Sequence, residues 1–229
     1  MKRLFIFDLD NTFYKYNSSH KYGLESVYDN QKIFNTYESF LLAYEDIKLS
    51  VHRDIPESPS KHSKLIYFKN LFYKDLSSSE ILMLENTYWD SFIKNAELQK
   101  TAIDLLKAKK NRENVYVLFT NQNLSTQLRK INAWNLNFFD EIITSEEAGY
   151  EKPSLKFFNF VSPVIERYHD KGYDLFALGD DFNNDLSFWL ENYFAKGYLI
   201  DNDSSHLVEM KGFKKGNLNN SVGEIFEIS

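Results

Sequence analysis

The chain has 229 residues, a net charge of −6 and no cysteine, so disulfides, thiolate metal sites and cysteine nucleophiles are excluded. Its length accommodates one large domain or a core with a smaller insert, and its apolar and charged fractions of 43% and 26% are those of a globular protein. The acidic balance argues against a nucleic-acid surface, and no stretch approaches the ~20 apolar residues of a membrane span.

The first predicted element is a strand at residues 4–7, a short apolar run of the kind that is buried on both faces of a parallel sheet. Asp8 ends this run well short of the roughly 7–15 apolar residues of a secretion signal, so we expect a cytoplasmic protein. Four similar runs follow at 115–119, 141–143, 175–178 and 198–200, and helical patterns at 98–109, 124–133 and 155–168 separate them. This alternation predicts an α/β fold with a doubly wound, Rossmann-like parallel sheet.

About a hundred residues separate the first two strands, too many for one crossover connection. Apolar residues recur at helical spacing over 30–46, 63–73 and 77–92, with Ser77 or Ser78 as an N-cap and Glu80 nearby. Residues 54–60 predict a loop between helices. We therefore expect a helical domain at 15–96, inserted into a core formed by 1–14 and 97–229.

A pair of carboxylates, Asp8 and Asp10, follows the first strand. The period of extended chain points both side chains to one side. Carboxylates this close repel unless a cation lies between them, and Mg²⁺ prefers oxygen ligands. A surface turn is the other reading of the pair when it is taken alone.

Polar residues also follow the second strand and precede the third long helix of the core. Thr120 and Asn121 end the second strand, and Lys152 approaches a helix whose first turn we expect to contain Pro153. A lysine at a helix N-terminus opposes the helix dipole, which indicates a functional demand such as holding phosphoryl oxygens. Ordinary turn residues and a solvated lysine are the alternatives.

Three carboxylates, Asp180, Asp181 and Asp185, follow the strand at 175–178. Ligands of parallel sheets bind beyond the carboxyl ends of the strands, so Asp180 could bind the same cation as Asp8. Asp185 could orient Lys152 or a metal-bound water. Part of this segment should also cap the next helix, through Asn183 or Asn184.

In this order the motifs resemble the haloacid dehalogenase-like hydrolase superfamily. The resemblance covers the whole chain and is carried by Asp8-x-Asp10-x-Thr12, Thr120, Lys152 and Gly179-Asp180-x-x-x-Asn184-Asp185. The stretches 120–127, 139–140, 145–149 and 152–153 look like the branch that contains nucleotidases and N-acylneuraminate-9-phosphatase. The helical insert falls where the superfamily places its first type of cap, which is expected to close over the substrate with hinges near 14–18 and 94–98.

The resemblance implies a magnesium-dependent phosphatase that acts on a small phosphate monoester, such as a nucleoside monophosphate or sugar phosphate. It implies that Asp8 is the nucleophile that forms an aspartyl phosphate, and that Asp10 is the acid and base. The remaining implied roles are magnesium binding by Asp8, the Asp10 main-chain carbonyl and Asp180; phosphoryl binding by Thr120 and Lys152; substrate binding by Thr12 and Asn121; and support around the metal by Asp181, Asn184 and Asp185.

Asp10 separates this reading from a haloacid dehalogenase, because displacement of a halide requires no general acid and that subfamily lacks the second aspartate. A phosphomutase would keep every motif, and a metal-binding regulatory module without turnover is a further alternative. Tyr14, Tyr16 and His20 lie near Asp8 in sequence and either contact substrate or pack inside the protein. Monomer and homodimer both stay open.

Overall fold

A computed structural model of the protein describes residues 1–227. The chain forms two compact units, a core unit of Met1–Lys15 with the chain from Leu98 onward, and a helical unit, Tyr16–Glu97. No helix within residues 1–227 is long and apolar enough to cross a membrane. The labelled elements are β1 (Arg3–Phe7), α1 (Tyr16–Asn30), α2 (Tyr37–Asp54), α3 (Lys64–Phe72), α4 (Ser78–Lys94), α5 (Lys100–Lys109), β2 (Asn114–Thr120), α6 (Leu124–Ala133), β3 (Glu141–Thr144), α7 (Ser145–Ala148), α8 (Leu155–His169), β4 (Asp174–Gly179), α9 (Ser187–Tyr193), β5 (Lys196–Ile200), β6 (Val208–Met210), β7 (Phe213–Gly216) and α10 (Leu218–Glu227).

The described part of the core unit contains a seven-stranded sheet in the order β3-β2-β1-β4-β5-β7-β6, in which only β6 runs antiparallel to its neighbour. All five strands predicted from the apolar runs are present, and the α/β doubly wound fold is confirmed. The strands β6 and β7, which no sequence pattern predicted, extend one edge.

Side chains of β1 alternate between two apolar layers because successive residues of a strand point to opposite faces. Leu4 and Ile6 share one cluster with the buried face of α8. On the other face Phe5 packs against the rings of Tyr116 and Phe226, the latter on α10. Burial on both faces explains why the strand reads as a continuous apolar run.

The helical unit contains α1 to α4, and the predicted helices at 63–73 and 77–92 are confirmed as α3 and α4. The predicted helix over 30–46 is confirmed only from Tyr37, where α2 begins behind the N-cap Thr36, and its predicted start is wrong because α1 ends at Asn30. The helix α1 escaped prediction because its buried face contains Ser19 and Gly23 rather than only apolar residues. A Cβ at Gly23 would lie 2.6 Å from the Tyr88 ring on α4, so glycine is what allows these helices to pack closely.

Candidate active site

Neighbouring parallel strands bring acidic side chains to one edge of the sheet. The strands β1 and β4 pair, and the Asp8 amide that follows β1 donates to the Leu178 carbonyl at 3.0 Å. Asp180 follows β4 directly. Asp8, Asp180 and Asp185 each offer a carboxylate oxygen, and these atoms lie within 4.8 Å of one another. The structure thus brings Asp8 together with two acids of a second predicted segment, Asp180 and Asp185.

Lys152 is buried beside this cluster, where its Nζ donates three hydrogen bonds. The acceptors are Asp8 Oδ1 at 2.9 Å, Asp185 Oδ1 at 2.6 Å and the Phe119 carbonyl at 2.7 Å. Asn121 fixes the Lys152 main chain, because its Oδ1 accepts from the Lys152 amide at 2.8 Å and its Nδ2 donates to the Lys152 carbonyl at 2.9 Å. Asn121, predicted to contact substrate, therefore uses both ends of its amide to position Lys152.

The helix after Lys152 begins where the pattern over 155–168 predicts it. Its first residue is Leu155, and Ser154 is the N-cap, whose side chain accepts from the Lys156 amide. Pro153 thus lies before the helix, and its prediction as a first-turn residue is wrong. The Ser154 hydroxyl satisfies a first-turn amide, which sets the start of α8.

The segment after β4 holds Asp185 tightly. A Cβ at Gly179 would lie 2.3 Å from the Asp185 carboxylate, so only glycine permits this approach. Asp185 Oδ2 accepts from the Asp181 amide at 3.0 Å, and Asp181 Oδ1 accepts from the amides of Asn183 and Asn184 at 2.9 Å each. The prediction that Asn183 or Asn184 is the cap is wrong, because Asp181 stands at the position from which a side chain reaches these amides.

Asp10 is held by a second set of donors. Its Oδ1 accepts from Lys130 Nζ and from the Tyr14 hydroxyl, and its Oδ2 accepts from Gln127 Nε2 at 2.7 Å. The same nitrogen of Gln127 donates to Thr120 Oγ1 at 2.7 Å. Asp8 and Asp10 therefore each contact an ammonium group, and the two groups come from different elements.

Sequence reasoning missed Lys130 and gave Gln127 no role. Both lie on the buried face of α6, whereas Leu128 of the same helix is 46% exposed. The apolar pattern of the sequence predicts that the side of α6 that contains Leu128 is buried, whereas the structure exposes it. The available signal was a glutamine and a lysine at i and i+3, which share a helix face.

The turn after Asp10 supports the neighbouring acids. Asn11 adopts a positive φ of 56°, and its Nδ2 donates to Asp180 Oδ2 at 2.9 Å. Thr12 is fully buried, and its hydroxyl has no hydrogen-bond partner within residues 1–227. Its predicted contact with substrate stays a prediction.

Two residues considered as substrate contacts pack inside the helical unit. His20 Nδ1 is 2.7 Å from the Tyr88 hydroxyl, and burial together with Lys64 and Lys48 lowers the pKa of His20 to about 3. The imidazole is therefore neutral at physiological pH. The Tyr16 ring packs against Phe92 at 5.5 Å between centroids.

Burial and charge move the pKa values of the two carboxylates of the pair in opposite directions. Burial raises the pKa of Asp8 well above its usual value, with further increases from other acids and an opposing effect of Lys152. Burial also acts to raise the pKa of Asp10, but Lys130 with the Tyr14 and Gln127 hydrogen bonds lowers it overall. Asp180 has its pKa raised to about 6, chiefly by burial.

The charges around the site do not balance when every group is ionised. Four carboxylates face two ammonium groups, which leaves two negative charges; the groups are Asp8, Asp10, Asp180 and Asp185 against Lys130 and Lys152. A divalent cation would neutralise this excess, and the oxygen donors fit a hard ion such as Mg²⁺. The residues thus suit the predicted metal.

Residues 2–188 match the haloacid dehalogenase-like hydrolase family, and the protein belongs to that family. The ribulose-1,5-bisphosphate 5-phosphatase of Halopiger xanaduensis is 26% identical over 189 residues, which are 80% of this chain and 78% of the relative. The crystal structure of the putative hydrolase YfnB from Bacillus subtilis bound to magnesium superposes with a TM-score of 0.65 at 21% identity, covering 99% of this chain and 98% of that one. A 2-haloacid dehalogenase from Pseudomonas syringae reaches the same TM-score of 0.65 at 15% identity, with 100% of both chains covered.

Proposed function

We propose that this protein is a magnesium-dependent phosphatase that hydrolyses a small phosphate monoester through an aspartyl phosphate on Asp8. The observation that carries the proposal is the second carboxylate, Asp10, which is held by donors separate from those that hold Asp8. Two carboxylates in different environments can take the separate roles of nucleophile and acid/base. The fold alone does not decide this point, because a dehalogenase shares it.

Asp8 is the nucleophile in this scheme. Lys152 occupies its Oδ1, and Oδ2 has no hydrogen-bond partner within residues 1–227. The Oδ2 atom forms the new bond to phosphorus while the bond to the ester oxygen breaks. Asp10 is ionised in the free site because its donors lower its pKa, so it takes up a proton together with the substrate. It gives this proton to the departing alkoxide and then takes one from the water that hydrolyses the aspartyl phosphate.

The phosphoryl oxygens are positioned by Lys152 and Thr120. Thr120 Oγ1 already accepts from Gln127, so its own proton is left to donate to a phosphoryl oxygen. Lys152 contributes positive charge where negative charge accumulates. Asp185 has both oxygens engaged, by Lys152 and the Asp181 amide, and we assign it the task of holding Lys152.

Asp8, Asp180 and the main-chain carbonyl of Asp10 would hold Mg²⁺, which supplies positive charge to the phosphoryl oxygens. Support comes from the oxygen-only donor set and the excess of negative charge around it. The YfnB structure that shares this fold is described as bound to magnesium. Buried acids that bind a cation are desolvated and repel one another before the cation binds, which raises their pKa values. The raised pKa values of Asp8 and Asp180 fit such a site.

We propose a sugar phosphate as the substrate class, with nucleoside monophosphates second. Support comes from the 26% identity to the ribulose-1,5-bisphosphate 5-phosphatase of Halopiger xanaduensis, which acts on a sugar phosphate. The helical unit, Tyr16–Glu97, is proposed to act as the cap that selects the leaving group.

The test is phosphate release from sugar phosphates, ribulose-1,5-bisphosphate, nucleoside monophosphates and 4-nitrophenyl phosphate, with Mg²⁺ or with EDTA. We expect turnover only with Mg²⁺, and we expect Asp8→Asn to abolish it. Asp174→Asn is the matched control, since Asp174 is exposed at the opposite end of β4, and it should retain full activity. Unimpaired turnover by Asp8→Asn would overturn the scheme, and product analysis with a bisphosphate primer separates a hydrolase from a mutase.

A further inference from the structure

We infer that Lys130, with Tyr14 and Gln127, is a positioning set that orients Asp10 for proton transfer and lets the enzyme cleave esters with poor leaving groups. The inference rests on the proposed function, and it adds residues for which sequence reasoning had assigned no such task. Their contacts with Asp10 come from two segments of the core unit, the turn after β1 and the helix α6.

Burying the Lys130 side chain costs desolvation free energy, and hydrophobic packing alone does not explain its burial. Its side chain is 0% exposed, and its ammonium contacts Asp10 Oδ1. Burial of a lysine is costly unless a partner compensates its charge. The orientation of α6 that buries Lys130 leaves Leu128 46% exposed, so the helix gives up apolar burial to bring the ammonium to Asp10.

Tyr14 reinforces the contact on the same oxygen. Its hydroxyl donates to Asp10 Oδ1, its side chain is fully buried, and its ring lies 4.7 Å from the Trp134 ring between centroids. Lys130 Nζ lies 5.6 Å from the centre of the Tyr14 ring, within the range of a cation–π contact. The two donors therefore stabilise each other as well as Asp10.

Gln127 fixes the other oxygen and ties it to the phosphoryl-binding side of the site. Its Nε2 donates to Asp10 Oδ2 and to Thr120 Oγ1, at 2.7 Å in each case. Both protons of the amide nitrogen are thereby used. Asp10 cannot rotate without breaking contacts on both of its oxygens.

The number of donors distinguishes the two oxygens of Asp10. Within residues 1–227, two donors fill the acceptor sites of Oδ1, whereas Oδ2 has one donor and keeps one site. We therefore assign Oδ2 as the oxygen that passes its proton to the leaving oxygen and later receives one from water. Over both steps one proton moves from water to the released alcohol, and Asp10 returns to its starting state.

The experiment measures how much the reaction depends on the leaving group. For wild type, Lys130→Met and Tyr14→Phe we compare kcat/KM for 4-nitrophenyl phosphate, whose leaving group departs without a proton, and for an alkyl sugar phosphate that requires one. Arg129→Met is the matched control, because it removes an exposed cation from the same helix.

Lys130→Met should lower kcat/KM for the alkyl ester at least about tenfold more than for the aryl ester, since general acid catalysis contributes roughly 10²–10⁴-fold. Tyr14→Phe should shift the same ratio in the same direction by less, and Arg129→Met should leave both values unchanged. A variant that only disturbs folding lowers both values by the same factor.

An unchanged ratio of the two kcat/KM values in a folded Lys130→Met protein overturns the inference. If Lys130→Met fails to fold, Tyr14→Phe decides, because it deletes a single hydroxyl, and an unchanged ratio there has the same meaning. Failure of wild type to hydrolyse either ester is a different result, since it contradicts the proposed function itself.

Discussion

Replacing Asp180 by asparagine removes a carboxylate from the predicted metal site while keeping the shape of the side chain. Asparagine retains an oxygen that can accept from Asn11 Nδ2, which donates to Asp180 Oδ2 at 2.9 Å. The substitution should therefore change the electrostatics of the site with little change in packing. We expect the metal-free variant to be more stable than the metal-free wild type at pH 8.

The size of this effect follows from the pKa of Asp180. Burial raises that pKa from 3.8 to about 6, and a shift of this size corresponds to about 3 kcal/mol. Solvent screens part of it because Asp180 is only partly buried, so we expect about 1–3 kcal/mol. Because the pKa of Asp180 is raised in the folded state, its contribution to the free energy of unfolding is fully present below the unfolded-state pKa of about 4 and is lost as pH rises through the folded-state pKa. The increase in stability from Asp180→Asn should therefore be absent near pH 4 and complete by pH 8.

Thermal unfolding in EDTA at several pH values measures this difference. For a chain of this length, 1 kcal/mol shifts Tm by about 2–4 °C, so the variant should melt roughly 2–12 °C higher at pH 8 and show no advantage near pH 4. Adding Mg²⁺ should raise the Tm of wild type and leave that of the variant nearly unchanged. A difference between the two proteins that is the same at both pH values would refute the electrostatic reasoning.

Two further substitutions probe the groups around Lys152. Lys152→Met leaves Asp8 and Asp185 buried without their ammonium partner, and should cost about 3–5 kcal/mol in urea unfolding at pH 8; a loss below about 1 kcal/mol would contradict the ion-pair network. Gly179→Ala places a Cβ 2.3 Å from the Asp185 carboxylate. It should lower the free energy of unfolding by about 1–3 kcal/mol and also lower kcat. A wild-type free energy of unfolding together with a wild-type kcat would mean that Asp185 is free to move.

The strands and most of the acidic site could be predicted from the sequence because their signals are local. A strand buried on both faces, such as β1, must be a short apolar run, and the sheet topology then brings the residues after β1 and β4 together. Asp8, Lys152 and Asp180 meet as expected. The edge strands β6 and β7 could not be found this way, because the residues of β6 are exposed and show no pattern of burial.

Other features depend on contacts that no local pattern carries. The helix α1 buries Gly23 because the Tyr88 ring occupies the space of a side chain, and this is invisible in residues 16–30 alone. The direction in which α6 faces is a similar case, since its apolar residue Leu128 is exposed and its polar residues Gln127 and Lys130 are buried. Gln127 and Lys130 contact Asp10, which lies far from them in sequence, so the pattern within α6 cannot reveal why they are buried.

Asp8 and Asp10 contact different lysines and lie in different electrostatic environments. Lys152 contacts Asp8 and Asp185, whereas Lys130 contacts only Asp10 among these acids. On the proposed mechanism, the donors on Asp10 hold its side chain for proton transfer, so that its main-chain carbonyl, not its carboxylate, is the group left to bind the metal. Asp8 has the opposite arrangement: a raised pKa, one oxygen on Lys152 and the other without a partner in residues 1–227. The pKa values of these two aspartates, which a single residue separates, therefore shift in opposite directions: burial and nearby carboxylates outweigh Lys152 at Asp8, whereas Lys130 and two further donors outweigh burial at Asp10.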